Sequence, residues 1–415
     1  MAVLKRVLGC GLILLAGLGL VSCGGSSGSG SGTTTTTTPT TPSNELAVTV
    51  DGGPSGEAIN TLYTTVTLCV PGTTTCQTID NIQIDTGSYG LRVLASVLTL
   101  SLPVASATDG NSLVECTQFV DGYSWGPVAT ADLEVAGEKA SSLPVQVIGS
   151  SSFTTVPSDC SSTGTAEDTV ATFGANGILG IGVFEQDCGE GCQDSAQGGY
   201  YYSCTSTVCN AIAVPVQSQV LNPIPLFTTD NNGSIIELPS VAAGGTTTAS
   251  GSVIFGIDTE SNNASGTQTV LTLDDSGYFT TTTTFNNVPL LTTSFIDSGS
   301  NGLFFNDNNS EGASNIATCN TADFSGFYCP ASAVALSSTL TGQNGVSTAV
   351  SFTVENAQTI VDANPTYTAF STLGGQFSTS TTTFDWGLPF FYGRNVYNAI
   401  ENHTTTAGTG PYVAF

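Results

Sequence analysis

Positive charge is almost missing from this chain. Five Lys and Arg stand against 32 Asp and Glu in 415 residues, with a single His, for a formal net charge of −27 at pH 7. A chain so poor in cations cannot neutralise a phosphate backbone, so nucleic acid is excluded as a partner. Charge of either sign is scarce, at 9% of residues, and the surface must therefore be built mostly from Ser, Thr, Asn and Gly. Helical periodicity is thin, with Gln217–Leu221 and Val396–Asn402 as short candidates. There is no phosphate-cradling Gly loop between a strand and a helix and no dinucleotide fingerprint, so no organic cofactor is implied. The lone histidine, His403, lies in a polar C-terminal stretch and reads as solvated. That isolation counts against Gly122-Tyr123-Ser124-Trp125-Gly126 as a nucleophile elbow, which needs a base and a strand–turn–helix setting.

The long apolar run sits at the N-terminus. Lys5 and Arg6 precede Val7–Val21, which is short for a membrane span and has the form of a secretory signal. Leu20-Val21-Ser22-Cys23 resembles the lipobox of bacterial lipoproteins, which implies removal of residues 1–22 and lipidation of Cys23. By the same resemblance, Gly24 rather than Asp after the cysteine implies sorting to the outer membrane. Residues 24–43 run from Gly/Ser through a Thr tract to Pro-Thr-Thr-Pro and can bury no core, so residues 23–43 form a lipidated Cys and tether. Its reach is roughly 25 Å. No folded prosegment is expected before the first strand. Removing residues 1–22 takes away Lys5 and Arg6 and no acid, leaving three cations against 32 acids and a balance of −29. An anionic membrane surface repels such a domain, so the lipid is the expected anchor. The expectation is an exported bacterial lipoprotein, monomeric, on the periplasmic face of the outer membrane or at the cell surface.

Of the 12 cysteines, Cys10 lies in the signal and Cys23 at the lipid site. The other ten, an even number in an exported chain, read as five disulfides. Sequence does not fix their connectivity. Proximity suggests Cys69–Cys76, Cys188–Cys192, Cys204–Cys209 and Cys319–Cys329, and elimination leaves Cys116–Cys160. Cys188, Cys192, Cys204 and Cys209 also have roughly the spacing of a tetrahedral zinc site, but an oxidising compartment favours bridges. Asn306–Glu311 lacks EF-hand spacing and reads as a polar loop rather than a calcium site, so no metal is expected.

From Glu45 onward, short runs rich in Val, Ile, Thr, Phe and Tyr alternate with Gly, Asn, Asp, Ser and Pro clusters. Leu46–Val50, Leu62–Val70, Ala131–Val135, Val145–Ile148, Ser252–Ile257, Phe279–Phe285 and Ala349–Val354 are the clearest. This texture predicts an all-β architecture. The chain is long for one β core, so two lobes are expected, residues 44–228 and 229–415, divided where Pro223–Gly233 interrupts the strand pattern.

The most informative feature is a repeat. Asn81–Leu94 carries an apolar run into Asp85-Thr86-Gly87-Ser88 and out through Leu91. Ser294–Phe305 does the same around Asp297-Ser298-Gly299-Ser300, 212 residues later. One such Asp is equally well an Asx-turn satisfying its own backbone. Two matching copies point to related halves, each giving a carboxyl to one shared site. A third triplet, Asp275-Ser276-Gly277, lacks the downstream Ser-x-Gly-Leu and reads as an ordinary β-turn.

The repeat resembles the two active-site loops of pepsin-like aspartic proteases. Other landmarks follow in that family's order. Asn176–Ile181 resembles the segment supporting the first loop, Val253–Asp258 the opening of the second lobe, and Trp386–Phe391 the second support, followed by a strand such as Arg394–Ile400 and a last one at Tyr412–Phe415. The chain as a whole also resembles a bacterial lipoprotein family of unknown function. The first resemblance implies a bilobal fold of two β-barrel lobes with a cleft between them, and an Asp85/Asp297 dyad activating a water for peptide hydrolysis. It further implies that Thr86 and Ser298 cross-brace the loops, that Gly87 and Gly299 permit the turns, and that Ser88 and Ser300 bond the outer carboxyl oxygens.

Some positions depart from that pattern. Arg92 stands where the family has a Trp, and a lone Arg at a strand end more often faces solvent. In the flap expected over Cys116–Gly126, backward alignment from Leu133–Gly137 puts Phe119 in place of the tyrosine, leaving Tyr123 or Trp125 as substitutes. Asp385 replaces an apolar residue before Trp386-Gly387. The expected activity is that of a tethered aspartic endopeptidase. The alternatives are an inactive pepsin-fold surface lipoprotein that binds peptide, glycan or protein, and a structural or adhesive surface protein.

Overall fold

The structure, a computed structural model, describes residues 44–120, 122–285, 288–307, 316–377 and 382–415. The signal segment, Cys23, the tether and most of Asn306–Glu311 lie outside the described residues. The rest is predominantly β, with barrel-like sheets, the larger of 16 strands and another of seven. Each of the seven segments expected as strands lies on one, though Leu62–Val70 and Ser252–Ile257 run one and two residues past the strand ends at Cys69 and Phe255. Phe279–Phe285 shows why: its residues alternate between buried and more exposed, with Phe279, Thr281, Thr283 and Phe285 inward.

The sparse helical expectations fail in an instructive way. Asn395–Ala399 is a strand, paired on one side with Gly233–Glu237 and on the other with Tyr412–Ala414. Val396 packs in the main core while Tyr397 and Ala399 pack in another cluster. A strand covered on both faces loses its period-2 pattern, and the apolar spacing then mimics a helix. The strand implied by the family resemblance over Arg394–Ile400 is the better description. At Gln217–Leu221 there is a single 3₁₀ turn, Val216–Ser218, entered from Pro215.

Two three-strand units position the repeated motifs. Cys76–Asp85 runs parallel to Gly177–Ile181, which is antiparallel to Tyr89–Leu94. Val288–Ile296 runs parallel to Thr383–Trp386, which is antiparallel to Leu303–Phe305. In both, the strand after the Asp-turn returns beside the strand that supports the turn. Behind the first turn the core is aliphatic, with Ile84, Leu91 and Leu179 fully buried. Behind the second it is aromatic: Phe384 stacks on Trp386 at 4.1 Å and on Phe305 at 4.7 Å. The halves are also joined through Glu45–Val50, which pairs with Ala249–Phe255 along its whole length.

All five expected disulfides are present: Cys69–Cys76, Cys116–Cys160, Cys188–Cys192, Cys204–Cys209 and Cys319–Cys329. The four cysteines with zinc-like spacing are therefore spent in two bridges. Among the described residues no cluster of His, Cys, Asp or Glu suits a metal ion.

Candidate active site

The turns after Asp85 and Asp297 meet tip to tip, and hydroxyl groups lock them together. Thr86 Oγ1 donates to Ile296 O at 3.1 Å and accepts from Ser298 N at 2.9 Å. Ser298 Oγ donates to Ile84 O at 3.0 Å and accepts from Thr86 N at 3.1 Å. Four hydrogen bonds thus cross between segments more than 200 residues apart, and all are buried. Each satisfies a backbone group that would otherwise be stranded in the interior.

Each carboxyl is held by its own turn. Gly87 N donates to Asp85 Oδ1 at 2.7 Å, and Gly299 N donates to Asp297 Oδ1 at the same distance. Ser88 Oγ donates to Asp85 Oδ2, and Ser300 Oγ to Asp297 Oδ2 at 2.8 Å. The loops approach so closely that a Cβ on Gly87 would lie 2.6 Å from Asp297 Cγ, which only glycine avoids. The two carboxyls line one pocket, and Asp85 is held well above the usual carboxylate range by burial and then by the charge of Asp297. Every residue expected at the dyad and its support is thus brought to one place.

Both carboxyls line a pocket of about 360 Å³ with Phe119, Val120, Thr117, Gln118, Tyr200 and Asp187 among its walls. One wall is Cys116–Val120, at the turn end of the hairpin of Ser112–Gln118 and Gly122–Val135. Phe119 reaches the pocket. Tyr123 and Trp125 do not: they line a separate depression with Phe153, and Trp125 packs on Tyr202 with its Nε1 bonded to Phe153 O. Tyr123 and Trp125 share one face of their strand and pack in a separate cluster with Cys160 and Tyr202. Ser124, the centre of the elbow-like pentapeptide, is buried inside the same strand and bonded to Gln146 Oε1. His403 lies near Glu185, 3.4 Å away and well outside the pocket lining. Asp275-Ser276-Gly277 is a turn, closed by Gly277 N donating to Asp274 O.

Arg92 corrects the expectation of a solvent-facing cation. It is 1% exposed. Its Nη2 contacts Glu115 at 2.6 Å and Asp187 at 3.2 Å, Nε donates to Thr117 Oγ1, and Nη1 to Tyr89 O. Burial opposes its charge, but Glu115 and Asp187 more than offset this and hold its pKa up. Asp187 also accepts from the Tyr201 hydroxyl, and burial followed by the charge of Glu115 raises its pKa. Glu115 and Asp187 gave no sequence signal, since neither falls in a motif. Asn60 was equally silent: its side chain bonds Asn301 O, Phe370 N and O, and the Tyr392 hydroxyl.

A β-rich, disulfide-bridged protein with paired Asp-turns at one cleft is the class these observations define. The chain belongs to the family described as a protein of unknown function, DUF3443, which matches residues 40–415. Comparison with curated proteins finds no match.

Proposed function

We propose that this protein is an aspartic endopeptidase of pepsin-like bilobal architecture, in which Asp85 and Asp297 hydrolyse extended polypeptide in the cleft between residues 44–228 and 229–415. The observation that carries the reading is the set of four crossed hydrogen bonds, which hold both carboxyls beside each other in one pocket. Two carboxyls so close cannot both ionise readily, so one shared proton persists into acidic and mildly acidic conditions. The ionised partner takes a proton from a water, whose oxygen attacks the peptide carbon. The protonated partner gives its proton to the carbonyl oxygen. The tetrahedral diol then collapses as a proton passes to the amide nitrogen and the C–N bond breaks. No metal or organic cofactor is needed. The domain acts as a monomer tethered through lipidated Cys23 at the outer membrane.

The test is digestion of an unfolded protein by the soluble domain from residue 44, beside Asp85→Asn and Asp297→Asn. Each substitution is expected to abolish cleavage with the disulfides and fold retained; activity in either variant contradicts the dyad. One observation favours a second reading, a binding module for peptide, glycan or protein. Phe119 lines the pocket where the resemblance implies a tyrosine, and it has no hydroxyl to offer.

A further inference from the structure

Ser300 has a second carboxyl neighbour. Its hydroxyl donates to Asp297 Oδ2, and Ser300 lines the same pocket as Asp385 and opposes the rise in that residue's pKa. Asp385 lies on Thr383–Trp386, the strand that supports the second Asp-turn. Strand alternation sends Trp386 into the aromatic stack and Asp385 into the pocket lined by Asp85 and Asp297. Asp385 is 3% exposed, and its Oδ1 has no hydrogen-bond partner. A carboxylate buried with an unmet oxygen is strongly disfavoured, whereas the protonated acid carries a hydrogen of its own to donate.

The other half provides an internal comparison. There the supporting strand aligns Leu179 with Ile84 as Trp386 aligns with Ile296, so the counterpart of Asp385 is Ile178. Ile178 is apolar and lies across from Arg92, while Asp385 lies across from Phe304. The repeat is therefore broken at this one support position by an acid facing the cleft. Its flanking strands present Phe295 and Phe304, and the charged groups acting on it from the two turns are Asp297 and Asp85. Burial, and then the charge of Asp297, hold its pKa well above the carboxylate range.

We propose that Asp385 is a third carboxyl of the site, a positioning residue that holds a proton beside the dyad and acts on Asp297 through Ser300 Oγ. The proposal rests on the dyad reading above. While protonated, Asp385 donates to Ser300 Oγ, which fixes the serine hydrogen on Asp297 Oδ2 and favours charge there. Once Asp385 ionises, a further negative charge stands beside a pair that already shares one, and the pair keeps its last proton to higher pH. Asp385 thus extends the alkaline side of the activity profile.

The test is the pH dependence of kcat/KM for wild type and Asp385→Asn, with carboxyl protonation of the free soluble domain followed by infrared difference spectroscopy. Asp385→Asn is expected to cleave in acid but lose activity about one pH unit earlier on the alkaline side. It should also retain one carboxyl proton fewer than wild type near neutrality. An unchanged alkaline limb with an unchanged proton count overturns the proposal. If Asp385→Asn does not fold, Asp385→Leu, matching the apolar Ile178, replaces it. If the wild type cleaves nothing, the protease reading falls separately. The proton count then decides alone: a missing proton supports a proton-holding Asp385, and an unchanged count overturns it.

Discussion

Thr86 and Ser298 carry the same duty from opposite sides, each using one hydroxyl both to donate and to accept across the join. That reciprocity was legible in the sequence because the Asp-[Thr/Ser]-Gly-Ser motif is local and occurs twice. Arg92 was visible only as an odd cation, since its partners Glu115 and Asp187 come from distant strands and loops. The consequence is a triad in which a buried Glu115 and a largely buried Asp187 depend on one guanidinium. Arg92→Leu is expected to cost about 3–5 kcal/mol near neutral pH, because it leaves the buried Glu115 and the largely buried Asp187 without their cation. Urea unfolding should show the deficit shrinking in acid, where Asp187, whose pKa burial and the charge of Glu115 raise, takes up a proton. A deficit independent of pH would mean that packing, not charge, is what Arg92 supplies.

At the scale of elements, the strands were legible wherever one face is buried and the other wet, as in Phe279–Phe285. They were not where both faces are covered, and Val396–Asn402 consequently looked helical. The Cys116–Gly126 stretch is part of a hairpin, in which Phe119 lines the pocket while Tyr123 and Trp125 line a separate depression. That hairpin is anchored by Cys116–Cys160, which closes a separation of 44 residues, whereas the other bridges close 10 or fewer. Loop-closure entropy then ranks them. Replacing Cys116 and Cys160 by Ser should cost about 4 kcal/mol, against about 2–3 kcal/mol for a short-loop pair such as Cys204 and Cys209. Denaturant midpoints of the two double variants check the order, and a reversed order would show that strain or residual structure outweighs loop length.

For the molecule as a whole, the buried acids determine how stability depends on pH. Asp85, Asp187 and Asp385 all have raised pKa values, with burial the largest cause in each. A carboxyl that binds its proton more tightly when folded gives stability that is fully present below its unfolded pKa and is lost as pH rises through the folded value. The balance of three cations against 32 acids in the soluble domain adds self-repulsion in the same direction near neutrality. Thermal unfolding of the soluble domain should therefore have a higher midpoint at about pH 4 than near neutrality. A midpoint that rises with pH would show that these groups are not buried as described. An acid-tolerant frame suits a pair of carboxyls that works while sharing a proton.

The most direct test of the dyad is cleavage of an unfolded protein across acidic to neutral pH, with and without a pepstatin-type inhibitor, beside Asp85→Asn. The account predicts cleavage by the wild type in acid, abolished by the inhibitor and absent in the variant. A well-folded domain that cleaves nothing at any pH, or an Asp85→Asn variant that cleaves as the wild type does, would contradict it.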